Sequence, residues 1–110
     1  MRKETADRIL EFDEQRWELS YISPLQDGFV VTERLKIRES LVNKQELAKF
    51  NKEFAMCRVL ADNGHDIQYL HSEGRAKGQT YDILFDGIPA DLKAITGNGS
   101  NIKQYVLAQG

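Results

Sequence analysis

Asp82, Asp91 and Lys93 are spaced as a pair of carboxylates with an ammonium group beside them. Between the two acids lies Asp86-Gly87, a two-residue turn signal of the kind that closes a β-hairpin. Such a turn pairs Phe85 with Ile88, and counting outward sets Asp82 directly opposite Asp91. Like charges facing each other across a sheet cost roughly 0.2–1 kcal/mol, and more when buried. A divalent cation reverses that sign, since Mg²⁺ is commonly held by one or two carboxylates plus water and phosphate oxygens. In an extended strand Asp91 and Lys93 leave the same face, while Ala90, Leu92 and Ala94 take the other. A lysine beside metal-bound carboxylates can orient an attacking water or help deprotonate it, and can neutralise charge developing on a phosphate. The three residues are the minimum set for metal-assisted hydrolysis of a phosphodiester, with Asp82 and Asp91 as ligands of Mg²⁺ or Mn²⁺.

Glu53 is the fourth candidate. At 100° per residue it falls inside the arc of Phe50, Phe54, Cys57 and Leu60, the face expected to pack on a sheet. A carboxylate there is costly unless a metal or a cation such as Lys93 answers it. Singly, each residue has an ordinary explanation: Asp82 and Asp91 as surface acids, Lys93 as a solvated strand lysine, Glu53 as a snorkelling side chain. Their conjunction at one predicted locus is what points to chemistry. His65 and His71 flank a predicted strand and are read as turn or surface residues. Gly97-Asn-Gly99 lacks the Lys-Ser/Thr of a phosphate-binding P-loop. It is read as a flexible turn, with Thr96, Ser100 and Lys103 as candidate substrate contacts.

The elements that must position these residues are clearest after Asn43. Asn43 reads as an N-cap with Glu46 three residues on, opening a helix that ends at Asn63-Gly64. Leu47, Phe50, Phe54, Cys57 and Leu60 form its apolar stripe. HDIQYLH (65–71), YDILF and IPADLKAI read as strands, and NIKQYVLAQ as the start of a last helix. The expected fold class is α/β (α+β), a helix packed on a small mixed three-stranded sheet and followed by a C-terminal helix. Residues 1–42 read as an N-terminal extension, part strand and part irregular, before a core at 43–110. The extension holds a ragged helical pattern over 3–19, turn signals at Ser23-Pro24 and Asp27-Gly28, and a short strand at 28–32.

Composition sets outer bounds. The chain has 110 residues, 41% hydrophobic and 29% charged, with a net charge of −2, as expected of one soluble domain. It has no apolar run long enough to span a membrane and no secretory signal pattern, so a cytoplasmic site of action is expected. A single cysteine, Cys57, excludes an internal disulfide and a paired-cysteine zinc site. The acidic balance excludes a simple polycation, so a nucleic-acid partner requires a local patch or bound cations.

A helix carrying Glu53, then Asp82 in a later strand, then Asp91-Leu92-Lys93 in the next, resembles the PD-(D/E)XK nuclease superfamily. More narrowly, NKEFAMCRVLADNGHDIQYL, TYDILFDGIPADLKAI and the TGNGSN loop resemble the C-terminal tRNA-nuclease domain of bacterial contact-dependent growth-inhibition toxins. Related domains accompany phage and mobile-element proteins. The resemblance covers residues 43–110. It implies a restriction-endonuclease-like core, one or two divalent metals, hydrolysis of nucleic acid with RNA favoured over DNA, and an inhibitor (immunity) protein as partner. It also implies a further strand after the last helix, so the expectation is a core truncated at Gly110, a strand supplied by a partner, or a reduced fold, and an unfinished sheet makes a homo-oligomer plausible. The rival expectations are a non-catalytic nucleic-acid-binding or assembly module of a phage or mobile-element protein, and a repair or resolvase-like nuclease acting on branched or damaged DNA.

Overall fold

Phe29, Val30 and Val31 lie in an interior strand of the sheet. In the computed structural model, which describes residues 2–71 and 81–92, they belong to β2 (Phe29–Glu33), every residue of which is buried. A strand buried on both faces reads as a continuous apolar run rather than an alternating one. On one side β2 pairs antiparallel with β1 (Trp17–Ile22), and on the other it runs parallel to β3 (Asp66–Tyr69). Two further antiparallel pairings add β4 (Ile83–Phe85) and β5 (Ile88–Ala90). The sheet is thus mixed and five-stranded, ordered along the chain as β1-β2-β3-β4-β5.

An α+β architecture was expected and is present, but the expected three strands are five. The added two come from residues 1–42: β2 at the short strand expected over 28–32, and β1, which was not foreseen; the same residues also supply α1 (Lys3–Ile9) and α2 (Arg34–Ser40). The expected helix over 3–19 stops after Ile9, because Trp17, Leu19 and Tyr21 alternate with polar residues and join β1 instead. A register shift between Leu19 and Tyr21 moves the pairing from Leu19↔Val31 to Tyr21↔Val30. One extra residue in a strand switches which face later side chains occupy. Trp17 accordingly packs with Phe29 and Val31 on one face, and Tyr21 with Val30 on the other.

A parallel pair needs a long crossover, and α2 with α3 (Lys44–Asp62) provides it. The sequence placed α3 closely: the Asn43 side chain accepts from the Glu46 N–H at 2.8 Å, and the helix ends one residue before Asn63. Cys57, Leu60 and Ala61 of α3 lie on Val30, Ile67, Tyr69, Ile83, Phe85 and Leu92. Leu47 departs from the expected stripe at 40% exposure, since the first turn of α3 overhangs the sheet. The contact is tightest at Gly28, where a Cβ would lie 2.1 Å from the Ala61 carbonyl oxygen. Ile9 and Phe12 cover the opposite face over Trp17, Phe29, Val31 and Leu70. No helix among the described residues is long and apolar enough to cross a membrane. The expected C-terminal helix lies outside the described residues.

Candidate active site

Topology gathers the polar residues at one end of the sheet. The parallel strands β2 and β3 both finish there, so antiparallel β4 starts there and β5 finishes there. Open α/β sheets bind ligands outside the carboxyl ends of such parallel strands. Glu33, Tyr69, His71, Asp82 and Asp91 are all carried to this end, and the crossover helices add Lys36, Glu39 and Glu53.

The hairpin has the expected register: Phe85 pairs with Ile88, Leu84 with Pro89 and Ile83 with Ala90. Its turn uses left-handed backbone at Asp86 (φ 50°) and Gly87 (φ 84°), as a two-residue hairpin turn requires. At the open end the Asp82 N–H donates to the Ala90 carbonyl at 3.2 Å. Beyond Ala90 the chain leaves the strand, and the Leu92 N–H donates to Asp82 Oδ1 at 2.8 Å while its side chain enters the core at 1% exposure. β5 ends at Ala90, so the expected strand does not run on through Asp91 and Leu92. Lys93, Thr96, Ser100 and Lys103 lie outside the described residues.

Burial is the main cause that raises the Asp82 carboxyl above its ordinary value, and the charges of Asp91 and Glu53 add to it. The Leu92 N–H bond opposes the rise without cancelling it. The three acids predicted from sequence thus share one electrostatic neighbourhood. Asp82 and Glu53 also help burial to raise the Cys57 thiol beneath them, which leaves that cysteine protonated and inert.

Glu53 occupies the sheet-facing side of α3, as expected, but its immediate partners were not foreseen. Its Oε1 accepts from the Tyr69 hydroxyl at 2.5 Å and lies 4.0 Å from Lys36 Nζ. Lys36 is almost wholly buried, bonded to Glu39 at 3.2 Å and poised 5.2 Å from the Tyr69 ring centre. Burial and the bond to Glu53 both push the Tyr69 hydroxyl far above its ordinary value. Glu39 is shifted the other way: burial alone would raise it, but Lys36 and His71 outweigh that and hold it low.

His71 is not the surface residue expected. Its Nε2 meets Glu39 at 2.8 Å, and its backbone N–H donates to Glu33 Oε1 at 3.0 Å. Glu33 is itself bonded to Arg16 at 3.2 Å. His65 is part-buried at the opposite end of the sheet. There its Nδ1 meets Asp86 at 2.7 Å and its ring lies 4.4 Å from that of Phe85, so it braces the hairpin turn. The i,i+3 spacing of Lys36 and Glu39 marks an ordinary helix-surface pair and not a site; the clue in the sequence was a sheet-facing Glu53 that needed a cation.

The donor set suits a hard divalent cation. Asp82 and Asp91 offer oxygens alone, and their mutual repulsion is what a cation would relieve. Among the described residues no three such side chains converge to hold an ion by themselves, so water and substrate oxygens must complete a shell, as they commonly do for Mg²⁺. A separate cleft of about 400 Å³ opens beside Ile9, Phe12, Trp17 and Leu19, and none of the candidate residues lines it. No family model, curated protein or solved structure matches the chain.

Proposed function

We propose that the chain is a metal-dependent endonuclease of the PD-(D/E)XK type, with a restriction-endonuclease-like core, that hydrolyses phosphodiester bonds in nucleic acid. The observation that carries this reading is the half-buried Asp82, whose charged form is opposed first by that burial and then by Asp91 and Glu53. Such an arrangement is unfavourable for an inert protein and suited to a cation-binding one. RNA, and tRNA in particular, is favoured over DNA through the resemblance to toxin nuclease domains. That resemblance also suggests an inhibitor protein as partner, a mobile-element or toxin context, and the bacterial cytoplasm as the site of action.

Asp82 and Asp91 would hold Mg²⁺ or Mn²⁺, which when bound lowers the pKa of a water and draws a scissile phosphate oxygen to the site. Lys93 orients that water and stabilises the negative charge that builds as its oxygen bonds to phosphorus. The bond from phosphorus to the leaving sugar oxygen then breaks, and that oxygen takes a proton. Glu53 completes the acidic wall and keeps the water and the aspartates in place.

The test is cleavage of RNA and of DNA in the presence of Mg²⁺ or Mn²⁺ by the wild type, Asp82→Asn and Lys93→Ala. Metal-dependent cleavage that both variants lose supports the assignment. Cleavage retained by Asp82→Asn rejects it. A non-catalytic binding or assembly module is the second reading, favoured by the pairing of Glu53 with Tyr69 and Lys36. It predicts nucleic-acid binding with no cleavage in any metal.

A further inference from the structure

We infer that Lys36 and Tyr69 are positioning residues, a two-point tether on Glu53 Oε1 that aims the other carboxylate oxygen at the aspartates. This rests on the nuclease reading above. Three elements converge to make the tether: α2 brings Lys36, α3 brings Glu53 and β3 brings Tyr69. Both contacts fall on the same oxygen, the Tyr69 hydroxyl at 2.5 Å and the Lys36 ammonium at 4.0 Å. With Oε1 committed in this way, Oε2 is the oxygen left for the acidic site, and the charge of Glu53 already reaches Asp82.

The tether is anchored as well as formed. Lys36 is also bonded to Glu39 at 3.2 Å, and Glu39 is gripped from its far side by His71 Nε2 at 2.8 Å. Lys36 is 9% exposed and the Glu53 side chain 13%, so neither end is a solvated surface group. A purely structural explanation accounts poorly for the set. Apolar side chains of similar volume in place of a buried ion pair are often neutral or stabilising, so packing alone does not call for three polar groups here. Holding one carboxylate with its rotamer fixed and one oxygen occupied does call for them. Partners that orient a site's acids in this way typically change activity by about 10–100-fold when removed.

The experiment compares steady-state RNA cleavage by the full chain at saturating Mn²⁺ for the wild type, Lys36→Met, Lys36→Arg and Tyr69→Phe, with thermal unfolding of each. Lys36→Met is expected to lower kcat by about 10–100-fold with KM little changed. Lys36→Arg should recover most of that loss, and Tyr69→Phe should show a smaller fall in kcat alone. Should Lys36→Met fail to fold, Tyr69→Phe decides the matter, because it removes a single oxygen. Wild-type kcat in folded Lys36→Met, or in Tyr69→Phe where that variant decides, overturns this inference and leaves the nuclease reading standing. So does a loss that Lys36→Arg does not recover and that simply follows stability. Absence of metal-dependent cleavage by the wild type overturns the nuclease reading, and the tether with it.

Discussion

Asp82 binds its proton more tightly in the folded chain than in the unfolded one, because burial and two neighbouring acids oppose its charge. Stability therefore declines as pH rises from the ordinary aspartate value, about 3.9, through the raised folded one. Asp82→Asn removes that decline and keeps an oxygen to accept the Leu92 N–H. In metal-free buffer at neutral pH the variant is expected to melt above the wild type, with the gap closing in acid. A Tm that is lower for the variant at every pH contradicts the account. Glu39 works with the opposite sign: its lowered carboxyl stabilises the fold above the ordinary glutamate value, and that share is lost as pH falls through the lowered one. The hairpin register was legible from Phe85–Ile88 out to Ile83–Ala90, because a two-residue turn fixes the pairings that follow it; Asp82 and Asp91 lie beyond the last pair. The contacts of Lys36 with Glu53 and of His71 with Glu39 were not legible, because each joins residues far apart in sequence; only Lys36–Glu39 has a helical i,i+3 spacing.

Elements were readable to within a residue or two at the ends that carry a local signal, while β5, expected to run on through IPADLKAI, stops at Ala90. The Asn43 cap and Asn63-Gly64 stop bounded α3, and Asp86-Gly87 bounded β4 and β5. Asn43→Ala should cost about 1 kcal/mol by chemical denaturation, the usual loss for an N-cap side chain. Gly87→Ala should cost on the order of 1–3 kcal/mol, since alanine resists the left-handed backbone of that turn. The strand expected at 28–32 is present as β2, but the helix expected over 3–19 was misjudged for a tertiary reason. Trp17, Leu19 and Tyr21 have strand periodicity, but a bulge sends Tyr21 to the other face and blurs the pattern against the preceding helix. Gly28 looked like an ordinary turn glycine; its role is to let the Ala61 and His65 backbones approach. Gly28→Ala should therefore cost about 3 kcal/mol, at the upper end for overpacking, because the obstacle is backbone that cannot rotate away.

At the scale of the molecule, a cation that binds only the folded chain must stabilise all of it. Mn²⁺ at a hundred times its dissociation constant should add about 2.7 kcal/mol to unfolding. The rise in Tm should vanish in Asp82→Asn, and an equal rise in that variant would place the ion elsewhere. The parallel seam between β2 and β3 bears on timing. Phe29 must find Asp66 before either strand end can present its acids, and pairings so distant along a chain are among the slow ones. In a ribosome-bound or half-collapsed chain α3 consequently has yet to settle on β3, so Glu53 and Tyr69 meet only when the final docking is complete.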